Sequence, residues 1–169
     1  MRATLLIIAG ILALVVGWIY FAPGDSIPSP EELAEQALNA ATSEEQEAAA
    51  VKLSQSGQAG ITQLRRVYQE STVVEVRAAC IKGLGVLRDY DSMAIFFDGL
   101  EDDSALIRGR AGVAMVRMLG RDYRFRANGS VADRVKSITG MQKAWEEMEP
   151  DLDRIKEEMK KKKQPSETE

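Results

Sequence analysis

Two stretches decide how this chain folds: Val76-Arg77-Ala78-Ala79-Cys80 and, 31 residues further on, Ile107-Arg108-Gly109-Arg110-Ala111. In each, an arginine follows a β-branched residue. A small residue stands three places after the arginine (Cys80, Ala111), and a large apolar one seven places after it (Leu84, Met115). One further step of 31 toward the N-terminus lands on Gln46, Ala49 and Leu53, which keep the small and apolar positions and lose the arginine. The segments before these stretches carry the same register, in Leu33, Leu64 and Ile95. Self-similarity at such a period marks stacked supersecondary units.

Within the units the apolar steps are helical. Val76, Cys80, Leu84 and Leu87, and likewise Ile107, Ala111, Met115 and Met118, advance by four, four and three, which is the stripe of an amphipathic helix. Gly57, Asp89 and the Asp102-Asp103-Ser104 cluster punctuate the joins. The spacing predicts three helix pairs, about 31–41 with 43–55, 58–70 with 72–88, and 91–101 with 104–119. A lone pair cannot bury its stripe, whereas stacked pairs can. The pattern V-R-x-x-A/C-x-x-x-L on the second helix of a pair resembles the HEAT-like repeats, in the short-period form described in phycobilisome lyases. The resemblance covers residues 31–120. It implies an α-solenoid in which Arg77 and Arg108 are structural repeat arginines. Lyase activity does not come with it, because no chromophore-attachment motif is present and the scaffold serves many functions.

After Gly120 the register breaks, with Thr139 where the next arginine would fall. Arg121 to Gly129 reads as a loop. A helix over 130–149 follows, with Val131, Val135, Ile138, Met141 or Gln142, Trp145 and Met148 on its inner face. A second helix follows over 150–163, with Leu152, Ile155 and Met159 inside. These read as capping helices of the repeat domain, and Lys160–Lys163 suits a helix C-terminus. Residues 164–169 read as a disordered tail.

Upstream of the repeats, Ala3 to Ala22 reads ATLLIIAGILALVVGWIYFA, with no charge in 20 residues. At about 1.5 Å per residue this matches a bilayer core of about 30 Å. Trp18 and Tyr20 stand where an interfacial aromatic belt would lie, and the large residues Tyr20 and Phe21 oppose a signal-peptidase cut. The expectation is an uncleaved transmembrane anchor over 1–22. Arg2 before it and Asp25, Glu31 and Glu32 after it predict a cytoplasmic N-terminus and an extracytoplasmic domain, periplasmic in a bacterium. Residues 23–30 form a proline-rich linker, and Ser29-Pro30-Glu31-Glu32 reads as a helix start. The expected fold is therefore all-α: one transmembrane helix, a short α-solenoid of about three HEAT-like pairs, and C-terminal capping helices.

Composition narrows the function. The chain carries a net charge of −4 with a pI near 5.1, which gives no overall basic footprint for nucleic acid. There is no histidine and one cysteine, Cys80. Cys/His zinc sites and Ser-His-Asp or Cys-His nucleophile systems are thereby excluded. No cofactor motif stands out, and Glu146, Glu147 and Glu149 form no evident acid–base pair. Cys80, Trp145 and Met148 read as core.

The strongest binding candidate is the loop Arg121, Tyr123, Arg124 and Arg126. Residues 101–140 hold eight Arg/Lys against five Asp/Glu, whereas residues 31–70 hold three against seven. The loop cations either pair with nearby acids or meet an anionic partner such as a lipid headgroup or an acidic peptide. Lys160–Lys163 admits the same two readings. The reading that emerges is a membrane-tethered, non-enzymatic interaction scaffold with an unidentified protein partner. A carboxylate- or lysine-based enzyme, a subunit of an enzyme complex, and a structural homo-oligomer stand as alternatives.

Overall fold

The computed structural model describes residues 27–163. Among them the chain is all-helical, with eight α-helices and no strand. They are α1 (Pro30–Asn39), α2 (Ser43–Gln55), α3 (Ile61–Glu70), α4 (Val74–Leu87), α5 (Met93–Glu101), α6 (Ala105–Leu119), α7 (Val131–Met148) and α8 (Leu152–Lys163). The second helices of the three pairs begin at residues 43, 74 and 105, so the 31-residue period is kept to the residue.

Local sequence sets the helix starts. Ser29 caps α1: its hydroxyl accepts the Glu32 N–H, the Glu32 carboxylate accepts the Ser29 N–H, and Pro30 occupies the first turn. Thr42 and Glu45 form the same reciprocal box on α2. Two first helices start later than the periodicity predicts, because short 3-10 turns at Gly57–Gly60 and Tyr90–Ser92 precede α3 and α5. Gly57 adopts φ +64, a left-handed value that glycine takes without strain.

The helices pack as their stripes demand. α2 packs on α4 and α4 on α6, while each also packs on the first helix of its own pair, and α1 packs on α3. The register positions are all buried: Leu33, Leu64 and Ile95 on the first helices, and Ala49, Cys80, Ala111 with Leu53, Leu84, Met115 on the second. Burying each large apolar side chain stabilises by about 1.5–3 kcal/mol. Small residues permit the close approach of α4 and α6, since a Cβ on Gly85 would lie 2.7 Å from the Cβ of Ala114.

Polar side chains close the joins between pairs. Arg77 donates to the Tyr68 hydroxyl at 3.2 Å and pairs with Asp102 at 2.9 Å. Arg108 donates to the carbonyls of Asp102 and Asp103, at 2.7 and 2.8 Å, and to that of Ala127 at 2.8 Å. Both arginines thus tie their own helix to neighbouring segments. Arg65 grips the buried Asp89 through a two-pronged contact of 2.8 and 2.5 Å and donates to Ser92 at 3.0 Å, and the Ser92 hydroxyl donates to Asp89.

Two expectations are corrected. Among the described residues no helix is long and apolar enough to cross a membrane, so the expected single-pass membrane localisation is not supported. The longest of these helices, the 18-residue α7, carries Asp133, Arg134, Lys136, Lys143, Glu146 and Glu147 along its length. The proposed anchor Ala3–Phe21, the first part of the linker and the tail 164–169 lie outside the described residues. Second, Val131 and Val135 do not face inward; they are 66% and 53% exposed. Ile138 and Met141 are buried, and Trp145 stacks on Tyr90 with ring centroids 6.4 Å apart. The later turns of α7 carry its buried contacts, and its first turns hold the connecting loop.

Candidate functional site

The segment between α6 and α7, residues 120–130, is irregular and pinned from both sides. Gly120 ends α6 with φ +68, as left-handed helix caps commonly do. Arg108 from α6 holds the Ala127 carbonyl, and Arg134 from α7 donates to the Gly129 carbonyl at 2.8 Å. Phe125 lies against Gly112 of α6, where an added Cβ would meet its ring at 2.8 Å. Tyr123 lies against Gly140 of α7 in the same manner, at 3.3 Å. Arg124, between the two aromatics, has φ 56, a left-handed value unusual for a side-chain-bearing residue. Its N–H donates to the Asp122 carboxylate at 2.7 Å, and the chain turns there so that the two rings face different helices.

This arrangement leaves a concavity on each side of the loop. The first, of about 480 Å³, is lined by Tyr123, Arg124, Arg126, Asp133, Lys136 and Ser137. The second, of about 380 Å³, lies between the loop and α6, with Gly112, Val113, Arg117 and Phe125 in its wall. A smaller space of about 70 Å³ continues from it between α4 and α6, sharing Val113 and Arg117 and adding Lys82, Gly85 and Arg110. Val86 and Val113 stand exposed on these two helices, at 53% and 55%.

Of the four loop residues singled out in the sequence, Tyr123, Arg124 and Arg126 line the first concavity. Arg121 does not; its guanidinium sits over the Tyr123 ring, 5.7 Å from the centroid. Periodicity could not have supplied Lys136 and Ser137, which stand one turn along α7 from Asp133 and enter the site only because the loop folds onto that helix. Nor could it have joined Lys82 to Arg110 and Arg117, which lie on different helices.

Cations around these three spaces are free of partners. Among the described residues, the side chains of Arg124, Arg126 and Lys136, and those of Lys82, Arg110 and Arg117, make no hydrogen bond or ion pair. The contrast with Arg65, Arg66, Arg77 and Arg108 is plain, since each of those has two or more. Hydrogen bonding to Asp89 raises the Arg65 guanidinium further above its ordinary range, and burial pushes the Cys80 thiol up to about 12. Cys80 is fully buried and protonated at neutral pH, and has no thiolate with which to react. Among the described residues no group of three or more Cys, Asp or Glu side chains is placed to hold a metal ion.

No family model, no curated protein and no solved structure matches the chain.

Proposed function

We propose that the protein is a non-enzymatic interaction module: a short α-solenoid of three HEAT-like helix pairs, closed by C-terminal helices, that docks a partner protein on the outward face of α4 and α6. The observation that carries this reading is the groove along those two helices. It sets the exposed Val113 beside three unpaired cations, Lys82, Arg110 and Arg117, and α4 also carries an exposed Val86. An apolar floor with a basic edge is complementary to an acidic segment that presents apolar anchors. The register supports the repeat reading too. Gln46, at the first repeat's arginine position, donates to the Ala40 carbonyl six residues back, and Arg108 donates to the Asp102 carbonyl six residues back. The same bond therefore recurs 62 residues apart with a different donor.

The test places a photoactivatable crosslinker at residue 113 of the full-length chain in its native cells. The expected outcome is capture of one specific protein, lost when Arg117→Glu is added and the helical circular dichroism is unchanged. Crosslinks to other copies of the chain alone, or capture that survives Arg117→Glu and Lys82→Glu together, would overturn the reading.

A further inference from the structure

We infer that the concavity bounded by Tyr123, Arg124, Arg126, Asp133, Lys136 and Ser137 is a binding site for a phosphate monoester. The inference goes beyond the docking face and does not rest on it, because the loop 121–129 stands between the two.

Charge is the first ground. Three cations and one carboxylate line the space, leaving it two charges positive. The carboxylate has a hydrogen-bond partner, since Asp133 accepts the Ser130 hydroxyl at 2.7 Å. The cations differ. Arg124, Arg126 and Lys136 form no ion pair among the described residues, although the chain as a whole is acidic. Elsewhere in this protein arginines beside acids pair with them, as Arg66 does with Glu35 and Glu70 at 2.8 and 3.0 Å. Unpaired like charges gathered in one depression repel each other, and a dianion relieves that repulsion more than a monoanion does.

Geometry is the second ground. Two guanidiniums offer planar forks suited to phosphate oxygens, and an ammonium adds a point charge. Tyr123 and Ser137 line the same wall, their hydroxyls have no partner among the described residues, and both can donate. The backbone that carries the arginines is held at Ala127 and Gly129 by Arg108 and Arg134, and at Arg124 by Asp122. A site held before the ligand arrives binds with less ordering cost. Its volume, about 480 Å³, falls within the range of about 300–1,000 Å³ typical of small-molecule pockets. That leaves room for the group esterified to the phosphate, so a monoester fits the space better than a bare ion.

The test follows the amide signals of residues 122–138 in ¹⁵N-labelled full-length protein at constant ionic strength. The probes are O-phosphoserine, inorganic phosphate, acetate and chloride. O-phosphoserine should produce saturable shifts in this segment at a concentration at which acetate and chloride produce none. Arg124→Gln with Arg126→Gln should weaken its binding by about tenfold or more, the scale of a lost charge-assisted pair. Arg124→Lys with Arg126→Lys should recover part of the affinity, because the charge returns and the fork does not. Lys82→Gln, in the other groove, should change nothing. Inorganic phosphate binding more weakly than O-phosphoserine confirms an ester site. Equal or tighter binding of inorganic phosphate overturns the ester assignment in favour of the free ion. Shifts of equal size with acetate, or binding unaffected by the double glutamine variant, overturn the site altogether. Loss of partner capture at residue 113 with phosphoserine binding intact would sink the docking face alone.

Discussion

The joins between the helix pairs and the loop after Gly120 use arginine in opposite ways. At the joins, arginines are held by the fold: Arg65 by Asp89 and Ser92, Arg77 by Tyr68 and Asp102, Arg108 by three backbone carbonyls. In the segment after Gly120, Arg124 and Arg126 reach a concavity with no partner among the described residues. A bound arginine ties one element to the next, and an unbound one held on a pinned loop is available to a ligand. The cations the fold leaves over are therefore the candidates for binding.

Four substitutions or conditions break or sharpen that contrast. The largest effect belongs to Arg65→Ala. It strands the Asp89 carboxylate, whose side chain is only 5% exposed, and an uncompensated buried charge costs about 3–5 kcal/mol. Urea unfolding should show that loss, while Arg124→Gln in the same assay should shift stability by less than about 0.5 kcal/mol. If the two substitutions cost the same, the division between bound and free arginines fails.

Next is Gly85→Ala. Helix propensity favours alanine by about 1 kcal/mol, but the new Cβ would meet the Cβ of Ala114 at 2.7 Å and its Cα at 3.1 Å. Neither atom can swing away, and overpacking of this kind costs about 1–3 kcal/mol. The expected net effect is a lower thermal midpoint. A stabilised variant would mean that α4 and α6 separate more readily than their packing implies.

Gln46→Ala should cost about 1 kcal/mol, the net worth of a hydrogen bond lost from a partly buried site. Its Nε2 donates to the Leu38 and Ala40 carbonyls, both at 3.1 Å. Gln46→Arg should be tolerated, because an arginine makes the equivalent bond at Arg108. Intolerance measured by chemical denaturation would separate the first pair from the other two.

The smallest effect is one of pH. Hydrogen bonding to Lys156, with the charges of Lys156 and Arg65, holds the Asp91 carboxyl below its usual range. A depressed carboxyl contributes stability that is present above its unfolded pKa, about 3.9, and is lost as pH falls through the folded value. The Lys156–Asp91 contact of 2.9 Å joins α8 to the turn before α5. Acidification below about pH 4 should therefore loosen α8 before the helix pairs unfold, and hydrogen exchange across residues 152–158 reads that order. Asp91→Asn should remove the pH dependence, and its persistence in that variant would assign it elsewhere.

Much of the helical framework was legible in the chain. Leu33, Leu64 and Ile95, and Leu53, Leu84 and Met115, are buried where their spacing put them. α3 and α5 start two or three residues later than the spacing predicts, because the 3-10 turns before them obey hydrogen bonds that apolar periodicity does not record. Val131 and Val135 lie on the stripe of α7 and still face water, because a stripe says which side of a helix is apolar and not how far its neighbour extends. The basic loop was visible as a run of charge, but the side on which each residue would fall was not. The left-handed turn at Arg124 sends Tyr123 and Phe125 to different helices, and no spacing rule encodes that turn.

By itself, then, the sequence determined the helices, their period and their buried faces, because these depend on residues three, four and 31 apart along one chain. It also settled what chemistry is missing, since a chain without histidine cannot build a histidine-based centre. Only the tertiary structure decided which cations stay unpaired, and which of them share a wall with Lys136 and Ser137. Pairing is set by distances of a few ångströms between residues far apart in the chain, as for Arg65 with Asp89 and Arg77 with Asp102, and those distances exist only once the helices have packed.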